Sequence, residues 1–225
     1  MSDPERTVAF FDLDHTLLAR SSGELYIRVL KEQGLLKRRE LVKILVASIL
    51  YRINLLDPEG LMEKFVLRVA GDSEQEMIDF CNQWFEDTVR HYLYAEAVQR
   101  VKEHQSRGHT LAILSAATPY VAGPTARHLG IDQWLCTQLE VSDGRFTGRI
   151  VKPICHGRGK LFWAERFCRE RGSELGRSYF YTDSIRDLPV LERVGHPVPV
   201  NPDFFLRRAA RQRGWKIEVF RQRLS

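Results

Sequence analysis

Apolar runs that end in polar residues recur along the chain and indicate the strands of a parallel sheet. The runs at 7–12, 109–115 and 178–183 end at Asp12, Ser115 and Asp183. A run that is apolar throughout is typical of a strand buried on both faces. Since open parallel sheets bind their ligands at the carboxyl ends of the strands, these three polar residues are candidate site residues.

Helical patterns lie between these strands at 95–107, 119–128 and 159–171, and a glycine follows each of them. The alternation of strand and helix predicts an α/β fold with a doubly wound parallel sheet. The dipeptide Asp143-Gly144 between apolar residues predicts a tight hairpin. Near the carboxyl end we expect a helix coated by arginines and a closing strand at 215–220.

Residues 20–92 contain almost no strand pattern and predict a helical cap domain inserted into a core domain of residues 1–19 and 93–225. Capping patterns at 21–24, 57–58 and 73–76 predict three helix starts within the cap. The segment 41–56 is apolar on all sides, so it must be buried somewhere. Packing inside the cap, a dimer interface, an acyl-chain groove and contact with a membrane surface remain open for it.

Charge and length exclude several classes of protein. The chain has 225 residues and a net charge of +5, but residues 201–225 hold seven basic and two acidic residues, so the rest is balanced. A nucleic-acid-binding surface needs clustered positive charge, and we therefore expect no nucleic-acid partner. Lys43 and Arg52 interrupt the apolar segment, which is also shorter than the ~20 residues of a membrane-spanning helix.

The cysteines and the amino end bear on location. The four cysteines form no C-x-x-C pair, and the polar amino end shows no secretion signal. A cytoplasmic protein is therefore expected, with peripheral membrane contact left open and either a monomer or a homodimer as its state.

Two carboxylates, Asp12 and Asp14, follow the first strand and indicate phosphoryl chemistry. An ionised carboxylate can attack phosphorus while a neighbouring one moves protons, provided that the charge of the phosphate is neutralised. Mg²⁺ is a suitable cation because it prefers a few carboxylate oxygens, and Asp183 supplies a further one. Asp187, four residues on, would orient these ligands or their waters.

Four more residues are candidates for the site. Ser115 and the helix start that follows it would bind phosphate oxygens through a hydroxyl and backbone N–H groups. Lys160 would add a positive charge, and Arg158 competes for that role. His15 either faces the cap and the substrate or is an ordinary surface histidine.

These residues, in this order, resemble the motifs of the haloacid dehalogenase-like superfamily of aspartate-nucleophile phosphotransferases. The matching positions are Asp12, Asp14 and Thr16 in D-x-D-x-T, then Ser115, Lys160 and the pair Asp183 and Asp187. A cap inserted after the first motif is similar to that of the phosphoserine phosphatase-like subgroup. The resemblance implies a magnesium-dependent phosphatase that forms an aspartyl-phosphate on Asp12. It also implies that Asp14 is the acid and base and offers its backbone carbonyl to the metal, while Thr16 supports the loop.

The substrate implied by this resemblance stays open. Phosphoserine phosphatases carry a Glu nine residues after the nucleophile, where this chain has Ser21, although Glu24 could be a displaced acidic contact. Histidinol phosphate, a phosphoamino acid and a lipid-derived phosphate are the candidate substrates. Two alternatives are a phosphotransferase or mutase that uses the same residues, and a non-catalytic binding protein acting through the apolar cap and the basic carboxyl end.

Overall fold

A five-stranded parallel sheet forms the centre of the molecule. The computed structural model describes residues 7–32, 34 and 58–224. The sheet has the order β3-β2-β1-β6-β7, and β4 and β5 form a separate antiparallel hairpin. The strands are β1 (Val8–Phe11), β2 (Thr110–Ser115), β3 (Gln133–Cys136), β4 (Leu139–Ser142), β5 (Arg145–Ile150), β6 (Tyr179–Thr182) and β7 (His196–Pro199).

Helices cover both faces of the sheet, as in a doubly wound fold. Their bounds are α1 (Ser22–Glu32), α2 (Pro58–Arg68), α3 (Glu74–Asp87), α4 (Ala95–Ser106), α5 (Pro119–Leu129), α6 (Arg158–Glu170), α7 (Leu188–Leu191) and α8 (Phe204–Arg213). Alternate residues of a strand point to opposite faces. In β1, Ala9 and Phe11 therefore join one core with α4 and α5, while Val8 and Phe10 join another with α6, α7 and α8. The α/β fold predicted from the sequence is confirmed.

The described part of the insertion between β1 and α4 consists of helices joined by turns, and it packs onto the rest of the molecule. α1 and α3 contribute Leu25, Trp84 and Phe85 to the core that contains Phe11. A third core, which includes Phe146 of β5, joins α2 and α3 to α5 and the hairpin. The division into a core domain and a cap at residues 20–92 stays a prediction.

Several local predictions can be compared with the structure. The hydroxyl of Ser73 accepts a hydrogen bond from the Glu76 amide at the start of α3, as the capping pattern predicts. Asp143 and Gly144 both have positive φ, the backbone form that a two-residue hairpin turn needs. The apolar segment 41–56 lies outside the described residues. No helix in the described residues is long and apolar enough to cross a membrane.

The predicted closing strand at 215–220 is wrong. This segment makes only an isolated bridge, between Glu218 and Val200, and the fifth strand of the sheet is β7. β7 has the sequence His-Pro-Val-Pro, and its prolines argue against a strand when read in the sequence. An edge strand tolerates proline because one of its sides has no ladder to complete.

The two-sided packing of β1 predicts a large loss of stability on truncation of Phe10. This side chain is fully buried, and its ring lies edge-on to Phe167 with 5.9 Å between centroids. We expect Phe10→Ala to lower the free energy of unfolding by about 3–5 kcal/mol, measured by urea denaturation.

Phe162→Ala is the matched control, because Phe162 on α6 is 47% exposed. It should change the free energy of unfolding by about 0.5 kcal/mol or less. Equal losses in the two variants would contradict the packing described.

Candidate active site

The carboxyl edge of the sheet brings Asp12, Ser115 and Asp183 to one place. In the register of β1, Phe11 lies beside Ile113 on β2 and beside Tyr181 on β6. Asp12 directly follows β1, and its amide donates to the Tyr181 carbonyl at 2.9 Å. The parallel register therefore collects polar residues that are far apart in the sequence.

Lys160 lies buried between two carboxylates of this cluster. Its Nζ is 3.0 Å from Oδ1 of Asp12 and 2.7 Å from Oδ2 of Asp187. The hydroxyl of Thr182 also donates to Asp187, at 2.6 Å. Arg158 is exposed at the start of the same helix. Of the two cations that the sequence left in competition, Lys160 is thus the one that contacts the predicted nucleophile.

A close approach of the backbone places Lys160 in the site. α6 begins directly after Gly157, which has a φ of +53°. A side chain at Gly159 would overlap the carbonyl oxygen of Ile154. Glycine at position 159 therefore lets the first turn of α6 pack against the preceding loop.

The carboxylates are electrostatically crowded. Burial raises the pKa of Asp12 to about 6, with Lys160 opposing the rise and Asp187 and Asp14 adding to it. Burial and the negative charges of Asp12 and Asp187 raise the pKa of Asp183 well above its ordinary value. Burial alone would lower the pKa of Lys160, but Asp12 and Asp187 outweigh it and hold the ammonium in its charged form.

This donor set fits a hard divalent cation. Among the described residues no group of three or more His, Cys, Asp and Glu side chains has the arrangement of a metal site. The predicted ligands are the carboxylates of Asp12 and Asp183 with a backbone carbonyl, that of Asp14. Two desolvated carboxylates whose pKa values are raised would be stabilised by such a cation, and Mg²⁺ accepts few protein ligands because it retains water.

Asp14 points toward the start of α1. Its carboxylate accepts hydrogen bonds from the Ser22 amide at 2.8 Å and from the Ser21 hydroxyl at 3.2 Å. Ser21 occupies the position at which phosphoserine phosphatases carry a glutamate. Here that side chain contacts the predicted acid and base, which the sequence did not suggest.

Thr16 and Ser115 are both buried beside the cluster. The loop after Asp12 turns tightly about the Leu13 carbonyl, which accepts from the amides of Thr16, Leu17 and Leu18. The Thr16 hydroxyl has no hydrogen-bond partner in the described residues. The hydroxyl of Ser115 accepts from the Ala117 amide at 3.3 Å, which fixes the turn into α5.

Two further residues shape the loops at the site, one in the loop after β1 and one beside the loop after β6. His15 has a φ of +57°, which is uncommon for a residue other than glycine and marks a constrained backbone. Asp203 holds the loop after β6, because its amide donates to the Asp183 carbonyl and its carboxylate accepts from the Ile185 amide, both at 2.8 Å. The position of Asp203 before an amphipathic pattern predicts a helix cap, but nothing in the sequence joins it to Asp183.

Comparison with known proteins identifies the wider group. A family model described as haloacid dehalogenase-like hydrolase matches residues 9–192. A phosphoserine phosphatase of Mycobacterium tuberculosis is 33% identical over 218 residues, which cover 95% of this chain and 70% of that protein. A histidinol-phosphatase of Neisseria meningitidis is 29% identical over 221 residues, which cover 96% of this chain and all of that protein.

A solved structure shares the fold of this chain. A Bordetella pertussis protein described as of unknown function superposes with a TM-score of 0.84 at 32% identity, covering 95% of this chain and 98% of the other. Since nearly the whole of both chains aligns, the similarity is not confined to the sheet.

The crowding of the carboxylates predicts that Asp183→Asn stabilises the metal-free protein. At pH 8 the amide removes a carboxyl group that is ionised in the unfolded chain but costly to ionise where it is buried, and we expect the melting temperature in EDTA to rise by at least about 2 °C. The gain should be complete above the raised pKa of Asp183 and decline as the pH falls below that pKa. It should vanish only below the ordinary pKa of an aspartic acid, because the unfolded chain still loses the proton in the interval between the two pKa values.

Magnesium gives the control for this prediction. Mg²⁺ should raise the melting temperature of the wild type and have little effect on Asp183→Asn. A destabilised variant at pH 8, or the same response to Mg²⁺ in both proteins, would contradict the site described.

Proposed function

The chain belongs to the haloacid dehalogenase-like hydrolases and is a phosphatase of that family, and we propose that it hydrolyses a small organic phosphomonoester through an aspartyl-phosphate on Asp12. The contact between Asp12 and Lys160, buried at the carboxyl end of β1, carries this proposal. A buried carboxylate is a useful nucleophile only if it is ionised, and the ammonium of Lys160 favours that form.

Asp12 attacks phosphorus with one carboxylate oxygen. Its Oδ1 accepts from the Leu13 amide at 2.8 Å and lies 3.0 Å from Nζ of Lys160, so the side chain is held in one orientation. As the bond between Asp12 and phosphorus forms, the bond to the leaving oxygen breaks. Holding the nucleophile in place supplies part of the rate enhancement by orientation alone.

Asp14 transfers the protons. It gives a proton to the leaving oxygen of the substrate, which departs as the alcohol. The Asp14 carboxylate then takes a proton from a water whose oxygen attacks phosphorus. The bond from phosphorus to Asp12 breaks, which releases inorganic phosphate and restores both carboxyl groups.

Magnesium would be held by the carboxylates of Asp12 and Asp183 and the backbone carbonyl of Asp14. When bound, it neutralises negative charge on the phosphoryl group. Asp187 is a positioning residue, since it holds Lys160 and Thr182 by hydrogen bonds. Ser115 and the amides at the start of α5 would bind phosphate oxygens, and Thr16 supports the loop between the two acids.

The substrate is a phosphomonoester, and its organic group binds to residues other than those that contact the phosphate. Relatives of similar identity are named for phosphoserine and for histidinol phosphate, so identity alone does not choose between them. Ser21 contacts Asp14 and supplies no negative charge for an ammonium group. Phosphoserine and histidinol phosphate both carry an ammonium group, so this favours a lipid-derived phosphate that lacks one. A reducing cytoplasm is our proposal for location, consistent with four buried cysteines that form no disulfide.

Replacing the nucleophile gives the first test of this function. Asp12→Asn keeps the shape of the side chain but removes the attacking charge, and we expect phosphate release to fall at least about a thousandfold. The assay measures magnesium-dependent phosphate release from phosphoserine, histidinol phosphate, sugar phosphates, nucleotides and lysophosphatidate. Full activity in the variant would contradict the mechanism. Transfer of the phosphoryl group to an organic acceptor, with no inorganic phosphate released in its absence, would indicate a phosphotransferase instead.

Lys160 and Arg158 form a matched pair for a second test. Lys160→Met should lower kcat/KM by about 10²–10³-fold, because a charge that stabilises both nucleophile and phosphoryl group is lost. Lys160 lowers the pKa of Asp12, so its loss should raise that pKa. The acidic limb of the pH profile of the variant's residual activity should therefore move to higher pH. Arg158→Met, at an exposed position, should retain nearly full activity. The opposite order of effects would assign the phosphate contact to Arg158.

A further inference from the structure

The outward face of α8 combines exposed aromatic rings with unpaired arginines. Phe204 is 73% exposed and Phe205 is 54% exposed, and their ring centroids are 5.5 Å apart. Two adjacent phenylalanines in water leave apolar surface that would be more stable in an apolar environment. An exposed apolar pair next to charged residues is typical of an interaction site.

The helical repeat separates this face from the core. Leu206, Ala209 and Ala210 are buried, and at 100° per residue Phe204, Arg208 and Arg211 lie on the opposite side. Phe205 and Arg207 are exposed on the flanks of this outward side. The helix contains no acidic residue.

The arginines of this face are available to an external anion. Arg213 pairs with Glu192 at 2.6 Å, but Arg207, Arg208 and Arg211 have no ion pair with any residue in the described part of the chain. Guanidinium groups bind phosphate oxygens in pairs of hydrogen bonds. Two copies of this face would repel each other, which argues against a dimer through α8.

We propose that α8 is a docking surface for an anionic phospholipid bilayer, in which Phe204 and Phe205 enter the interface while Arg207, Arg208 and Arg211 bind lipid phosphates. In helices that lie at a membrane interface, aromatic residues insert into the apolar region while basic residues bind the anionic headgroups. A nucleic-acid duplex would satisfy the arginines through its phosphates, but its stacked bases offer no apolar layer for the two phenylalanine rings.

The docking surface adjoins the active site. Asp203, the residue before Phe204, accepts from the Leu206 amide and thereby caps α8. The same residue holds the loop that carries Asp183. Docking through α8 therefore places the rim of the phosphatase site close to the lipid headgroups.

Vesicle sedimentation tests this proposal. The full chain is mixed with vesicles of phosphatidylcholine, or of phosphatidylcholine with phosphatidylglycerol, and the bound fraction is measured. Binding to the mixed vesicles should fall roughly thirtyfold in Arg208→Gln/Arg211→Gln. It should fall at least about tenfold in Phe204→Ser/Phe205→Ser. High salt should weaken binding of the wild type.

Matched controls separate this face from general charge or hydrophobicity. Arg107→Gln/Arg169→Gln removes two exposed charges elsewhere, and Phe162→Ser removes an exposed ring on α6. Both should bind like the wild type. Asp12→Asn should also bind normally, so docking is measured independently of the proposed catalysis.

Three results would overturn the proposal. They are failure of the wild type to bind mixed vesicles, binding that the α8 variants leave unchanged, and equal losses in the control variants. Retention on DNA without vesicle binding, or a dimer that dissociates in Phe204→Ser/Phe205→Ser, would each replace the bilayer with another partner. The α8 variants should hydrolyse a water-soluble phosphomonoester at the wild-type rate, which shows that they are folded.

Discussion

A buried ammonium between two carboxylates is the interaction on which the rest of the site depends. Lys160 lies 3.0 Å from Asp12 and 2.7 Å from Asp187, in a place where an unpaired charge would be strongly destabilising. Each carboxylate needs the lysine, and the lysine needs both of them. The contact also joins α6 to β1 and to the loop after β6, so packing on one face of the sheet determines the geometry of the proposed nucleophile.

Strand register explains how so few elements build the site. β1 lies between β2 and β6, and a candidate site residue lies at or directly after the carboxyl end of each of the three strands. Buried apolar side chains on both faces fix the register of β1, because a shift of one residue would exchange the side chains between the two faces of the sheet. Core packing therefore positions Asp12 within reach of Lys160. Apolar contacts thus determine where the polar side chains of the site lie.

The sequence predicted the central strands and the gathering of Asp12, Ser115 and Asp183 because both follow from local apolar runs and from the rule for parallel sheets. It missed β7, whose two prolines disfavour a strand everywhere except at a sheet edge. It also missed the contacts of Ser21 with Asp14 and of Asp203 with the loop after β6. Such contacts join residues through tertiary structure, and spacing along the chain carries no signal for them.

Trapping the phosphoryl group on the protein tests the central claim most directly. Acid quenching during turnover of a good substrate, followed by digestion and mass spectrometry, identifies any peptide that carries phosphate. We predict one phosphoryl group on the peptide that contains Asp12, and none on that peptide in Asp12→Asn. Phosphate on another residue, or rapid turnover with no trapped phosphate under conditions that preserve acyl phosphates, would contradict the account.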